Sequence, residues 1–180
     1  MSGRVVQNFG TSDTYIKKCI LITEEIEHIK FPSFTAFLED EEQLQTLIAP
    51  LSSAMQSAIS QQYTEAKNWF STSDILHAYL APIVSIEYNK LNGLPELVFP
   101  RFEPLVPENI VETSSEYENN VLLGMKLQAL DFSRIGVIKF LRGLPAICTF
   151  LGINEDDILH NPSNLGYNSD FGLRIIDYGL

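Results

Sequence analysis

From Gly3 to about Lys30 the apolar and polar positions follow no helical period. Arg4 to Phe9 is a mixed run of β-formers, Gly10-Thr11-Ser12-Asp13 has turn composition, and Tyr15 to Ile22 is dense in β-branched residues. That pattern predicts paired strands on a half-buried surface. A third short strand is predicted over Ile26 to Phe31, stopped by Pro32, and Ser33 to Asp40 fits either helix or loop. Between Glu41 and Phe70 the spacing changes. Leu44, Leu47, Ile48, Leu51, Met55, Ile59, Tyr63, Ala66, Trp69 and Phe70 recur at steps of three and four, which places them on one stripe of a helix. Pro50 interrupts the backbone ladder, so this stretch is one kinked helix or two, the second starting near Pro50.

Ser71-Thr72-Ser73-Asp74 supplies turn and N-cap residues before a short helical turn through His77 to Leu80. Ile83 to Tyr88 and Glu96 to Phe99 read as two strands around a turn at Asn89 to Gly93, and the proline-rich Arg101 to Pro107 reads as a linker. Ser115 to Ile153 is helical again, in two stripes. Tyr117, Val121, Leu122, Met125, Leu127 and Leu130 form the first; Val137, Ile138, Phe140, Leu141, Leu144, Ile147, Phe150 and Leu151 form the second, with a break at Asp131 to Arg134. A short strand from Asn164, a turn at Asn168-Ser169-Asp170-Phe171-Gly172 and a β-branched strand Leu173 to Ile176 then deliver Asp177.

At 180 residues the chain makes one ordinary domain or two very small ones. A domain of that size buries roughly 70% of its unfolded surface, which sustains a core without disulfides. Cys19 and Cys148 each sit in an apolar run and are expected as buried free thiols, in keeping with a reducing compartment. The N-terminus has no secretory pattern and no run of about eighteen apolar residues occurs, so a soluble cytoplasmic protein without membrane association is expected. The net charge of −11 disfavours phosphate backbones and anionic lipid. Glu24 to Glu27, Glu39 to Glu42 and Glu155 to Asp157 concentrate that charge where carboxylates complement helix N-termini. His28, His77 and His160 are widely spaced and lack paired cysteines, which argues against zinc. Gly-x-Ser-x-Gly is absent, so no esterase elbow is indicated.

The chain resembles compact bacteriophage-encoded protein-kinase-like proteins. The likeness is carried by Asn164-Leu165-Gly166-Tyr167 through Ile176-Asp177-Tyr178-Gly179-Leu180, with Asn164 and Asp177 thirteen positions apart, and less strongly by Leu80-Ala81-Pro82-Ile83 through Phe102-Glu103-Pro104-Leu105. It implies an α+β, two-lobed kinase-like fold: a small antiparallel sheet with a long helix and a hinge over residues 1–105, then a helical lobe ending in a β-hairpin over 106–180. It further implies Asp177 and Asn164 as Mg²⁺ ligands, Lys17 or Lys18 as the phosphate-pairing lysine, and Glu103 in the hinge as a nucleotide-binding position. Alternation leaves the choice of lysine open, and Glu41, Glu42 and Glu65 are the candidate helix partners. Five positions before Asn164, where kinases carry the catalytic aspartate, stands Leu159; Asp157, seven before, is the candidate base, with His160 nearby. Gly10-Thr11-Ser12 offers a single glycine where kinases use several to approach phosphates. A chain closing at Leu180 would leave no segment for an activation loop or peptide-docking helices.

The resemblance therefore implies a truncated kinase-like protein, not a conventional protein kinase, that acts by binding a protein, a host factor if the gene is viral, with the host cytoplasm or the virion as its location. A small phosphotransferase using ATP and Mg²⁺ and a structural virion or assembly component are the alternatives.

Overall fold

The computed structural model describes residues 4–9, 14–129, 135–159 and 161–179. In chain order the elements are β1 (Arg4–Phe9), β2 (Tyr15–Ile20), α1 (Phe34–Glu39), α2 (Glu41–Ile48), α3 (Ser53–Ser71), α4 (Asp74–His77), β3 (Ser85–Tyr88), β4 (Pro95–Pro100), β5 (Glu103–Pro104), α5 (Glu108–Val111), α6 (Glu116–Ala129), α7 (Ile135–Leu151), α8 (Glu155–Leu159), a 3₁₀ turn (Pro162–Asn164), β6 (Leu165–Asn168) and β7 (Gly172–Ile175). The protein is thus a mixed α+β chain with small antiparallel sheets and several helices. It divides into two compact units. The first comprises Met1–Ser71, Pro82–Arg101 and Gly179–Leu180; the second comprises Thr72–Ala81 and Phe102–Tyr178.

The first unit is built on an antiparallel sheet of order β1-β2-β4-β3. β4 is its most buried strand, with Leu97, Val98 and Phe99 essentially inaccessible, and its prolines fall at the two ends where the ladder tolerates them. The stripe predicted between Glu41 and Phe70 forms two helices, α2 and α3. Ala49-Pro50-Leu51-Ser52 separates them, and the Glu25 carboxylate accepts hydrogen bonds from the Ser52 backbone N–H and hydroxyl at the start of α3. α3 lies against β2 and β4 through Met55, Ala58, Ile59, Gln62, Tyr63, Glu65 and Ala66. Gln62 Nε2 donates to Lys18 O at 2.7 Å and to Pro95 O at 3.0 Å, fastening the helix to both strands. Ser33 accepts from the Ala36 N–H and so caps α1, settling the ambiguous stretch as a helix.

Residues 26–31 do not form the predicted third strand. Ile26 and Glu27 N–H both donate to Thr23 O and Ile29 N–H donates to Ile26 O, so the segment coils in consecutive turns, burying Ile26 and, at its end, Phe31. A strand would instead have needed a partner for each unpaired amide.

The second unit carries a three-stranded antiparallel sheet of order β5-β6-β7. The predicted hairpin is present: Leu165 pairs with Ile175 and Asn168 with Gly172, and Gly172 takes φ +75°, a turn conformation that a Cβ would strain. The proline-rich linker is not wholly irregular, because Glu103 and Pro104 pair with Tyr167 and Gly166 as β5. Pro104 is accommodated on an edge strand, where one missing N–H breaks no ladder. On the other side Leu80 bridges Ile175 in parallel, and Tyr178 donates from its hydroxyl to Ala81 O at 2.7 Å.

α6 begins with a capping box: Ser115 Oγ accepts from Glu118 N–H while the Glu118 carboxylate accepts from Ser115 N–H. Its predicted apolar stripe is not its buried face. Tyr117, Val121 and Met125 are 78%, 44% and 62% exposed, and the helix buries Leu123 and Asn119. In α7 the buried positions are Phe140, Leu144, Ile147 and Cys148, whereas Ile138 and Phe150 face outward. Both cysteines are buried free thiols. The predicted turn at Gly10 to Asp13, the break at Asp131 to Arg134 and His160 lie outside the described residues. No helix among the described residues is long and apolar enough to cross a membrane.

Candidate functional site

Lys17 and Lys18 are neighbours on β2, so the pleat sends them to opposite faces of the sheet. Lys17 reaches across its own face to Glu87 on β3 at 2.6 Å and Glu96 on β4 at 3.1 Å. Burial alone would lower its pKa, but hydrogen bonds and charge from the two glutamates outweigh that and hold it above the usual lysine value. Lys18 points to the α3 face. There its Nζ lies 2.6 Å from Glu65 Oε1 and 4.8 Å from the centroid of the Phe99 ring. Glu65 is fully buried and Lys18 nearly so. Lys18 thus enters a buried strand-to-helix pair, and Lys17 a part-buried cluster with Glu87 and Glu96 on the other face.

Among the three candidate partners, Glu41 pairs with Lys67 on the surface, Glu42 is an exposed residue in the first turn of α2, and Glu65 faces the sheet. Its other oxygen, Oε2, accepts from the Arg4 guanidinium, which also donates to Gln62 Oε1 at 3.1 Å. Two cations on one buried carboxylate, with Gln62 holding the surrounding backbone, supply the hydrogen bonds that make a buried charge tolerable. Gly179 packs against the same stretch of α3. A Cβ at Gly179 would stand 2.5 Å from Gln61 O and 3.0 Å from Glu65 Cβ, so only glycine fits. Asp177 precedes this glycine by two residues.

In the second unit Asn164 ends the 3₁₀ turn and is 7% exposed. Its backbone O accepts from Ile176 N–H at 2.8 Å, extending the β6–β7 ladder by one bond and bringing the Asn164 and Asp177 segments side by side. The Asn164 Nδ2 donates to Asp157 O at 3.3 Å. Among the described residues its Oδ1 accepts no hydrogen bond. Asp177 follows the strand in irregular backbone and is half-buried. Mg²⁺ commonly takes one or two protein oxygens and completes its octahedron with phosphates and water. An amide oxygen without a hydrogen bond beside a carboxylate-bearing segment suits that donor set. No group of three or more His, Cys, Asp or Glu among the described residues is arranged to hold a metal without such extra ligands.

Asp157 lies in the first turn of α8 with its side chain exposed, and its contact with Asn164 is made by the backbone carbonyl. Glu103 is exposed on β5 opposite Tyr167. The buried Cys19 thiol, on the Lys17 face of β2, has its pKa pushed up to about 11, chiefly by desolvation. Sequence reasoning missed Arg4 and Gln62 as companions of Glu65. The available signal was a polar pair, Gln62 and Glu65, inside the run Met55 to Ala66 that the helical period buries. No protein-family model matches the chain, nor does any curated protein or solved structure.

Proposed function

We propose that the protein is a kinase-like nucleotide binder, with Lys18 of the first unit as its phosphate-pairing lysine; within the second unit, taken by itself, Asn164 and Asp177 are the candidate Mg²⁺ ligands. The observation that carries this reading is the buried Lys18–Glu65 pair. A strand lysine aligned by a helix glutamate is the arrangement kinases use to position phosphates, and a purely structural role would be served as well by an apolar pair that costs no desolvation. The hairpin interval from Asn164 to Asp177, the Asn164 Oδ1 that accepts no hydrogen bond among the described residues and the close fit of Gly179 add to it. In that reading the Lys18 ammonium would meet nucleotide phosphates, and in the second unit Asn164 and Asp177 would offer Mg²⁺ two oxygen donors. Asp157 is exposed in the first turn of α8 and meets Asn164 through its backbone carbonyl, and on that ground this reading favours nucleotide binding over phosphoryl transfer to a peptide.

A second reading, protein binding, draws on the exposed Tyr117, Val121 and Met125 stripe of α6. Calorimetric titration with ATP·Mg²⁺ separates the two. The unaltered protein is expected to bind; Lys18→Met and Asp177→Ala each weaken binding by at least about tenfold, and Lys17→Met leaves it within about twofold. Absence of binding by the unaltered protein would end the nucleotide reading and leave protein docking.

A further inference from the structure

The second unit holds a pocket of about 490 Å³ at the turn end of the β6–β7 hairpin, away from the end that carries Asn164 and Asp177. Its size is that of a small-ligand site. Four aromatic rings contribute to its walls: Tyr79 ahead of the Leu80 bridge, Phe140 on α7, Tyr167 on β6 and Phe171 in the turn. Tyr79 and Phe140 stand 5.4 Å apart, centroid to centroid. The pocket's charged residues are Lys139 of α7 and Arg174 of β7, and none of its lining residues is acidic. In a chain with twenty-three carboxylates against twelve Lys and Arg, a cavity with two cations and no acid runs against composition.

The Arg174 Nη1 donates to the carbonyl of Leu173 at 2.8 Å, and among the described residues neither Arg174 nor Lys139 meets a carboxylate. Desolvation pulls the half-buried Arg174 guanidinium below its usual value, the mark of a charge held out of water without compensation. The guanidinium keeps further N–H donors, in a planar fork suited to carboxylate, sulfonate or phosphate oxygens.

We infer that this pocket binds a small organic anion with an aromatic body: its acidic head on Arg174 and Lys139, its ring among Tyr79, Phe140, Tyr167 and Phe171. Offset or edge-on ring contacts hold the body, and the cations select for charge. The site is independent of the nucleotide reading, because it uses neither Lys18 nor the Asn164–Asp177 end of the hairpin.

The test uses the full chain and two fluorescent probes of nearly equal shape, the anionic 8-anilinonaphthalene-1-sulfonate and the uncharged N-phenyl-1-naphthylamine. The unaltered protein is expected to bind the sulfonate at one site at least about tenfold more tightly than the neutral probe. Arg174→Gln and Lys139→Gln should each weaken the sulfonate about fivefold to tenfold and leave the neutral probe within about twofold. Lys139 is exposed, so its variant folds and decides the matter even if Arg174→Gln does not. Equal affinity for the two probes, or a preference that survives Lys139→Gln, would overturn the proposal.

Discussion

The two units differ in how they treat their buried and half-buried cations. In the first, Arg4, Lys17, Lys18 and Lys67 each meet a carboxylate, and the most buried acid, Glu65, is shared by two cations. In the second, none of Lys126, Lys139, Arg142 and Arg174 meets a carboxylate among the described residues, and Tyr117, Met125 and Phe150 stand largely in solvent. A unit whose buried charges are satisfied internally is a pre-organised frame. One that leaves cations and rings unsatisfied gains by acquiring something from outside.

The contrast is broken most forcefully at Glu65. Glu65→Ala leaves Lys18 and Arg4 as buried cations without an anion, and should cost about 3–5 kcal/mol. Arg174→Leu in the second unit, which removes a charge that has no counterion, should cost less than about 0.5 kcal/mol or stabilise. Trp69 is the sole tryptophan and lies on α3, so urea unfolding followed by its fluorescence reads the first change, and far-ultraviolet circular dichroism reads the second. Equal losses would show that the two charge environments do not differ.

Much of this frame could be read beforehand, and the reasons for the failures are specific. β1 and β2, the split of α2 from α3 at Pro50, and the terminal hairpin follow from local pattern: β-branched density, the three-four repeat, a proline, and a turn closed by Gly172. What needed coordinates was orientation. Lys17 and Lys18 have apolar neighbours on both faces of β2, so alternation is symmetric between them until α3 is seen to cover one face. Glu41, Glu42 and Glu65 are equally helical, and only the docking of α3 on β2 and β4 buries one of them. Ile26 to Phe31 reads as a strand because turn-forming amides have no side-chain signature. The Tyr117, Val121, Met125 stripe was a correct helical period attached to the wrong face. Lys139 and Arg174, far apart in sequence, are brought to one cavity only by the tertiary packing of α7 on β7.

Packing tightness offers the next test of the contrast. At Gly179 an added methyl would meet the Gln61 carbonyl, whereas at Gly124, in α6, it would meet nothing within 4 Å. Gly179→Ala should therefore destabilise the first unit by about 1–3 kcal/mol. Gly124→Ala should stabilise α6 by about 0.5–1 kcal/mol, since alanine loses less backbone entropy in a helix. Thermal midpoints moving in opposite directions would bear this out; a loss at Gly124 would show that its surface is covered.

The smallest expected effect is at the capping box. Hydrogen bonds from the Ser115 backbone and hydroxyl hold the Glu118 carboxyl below its usual value of 4.5. A depressed folded-state pKa means that the contribution is complete above the usual glutamate value and fades as pH falls through the depressed one. Helicity of the unaltered chain and of Glu118→Gln, compared by circular dichroism, should differ most near neutrality and converge in acid. A gap that stays constant with pH would show that ionisation of Glu118 plays no part.

The order in which the sheet of the first unit is strung along the chain carries a consequence for how it forms. β2 finds β4 only after roughly eighty intervening residues have been made, and closing so long a loop is entropically slow. Until then the nascent hairpin of β1 and β2 presents an unpaired edge bearing Tyr15, Ile16 and Lys18. Synthesis rate and chaperone supply should accordingly govern how much of this protein reaches its native state.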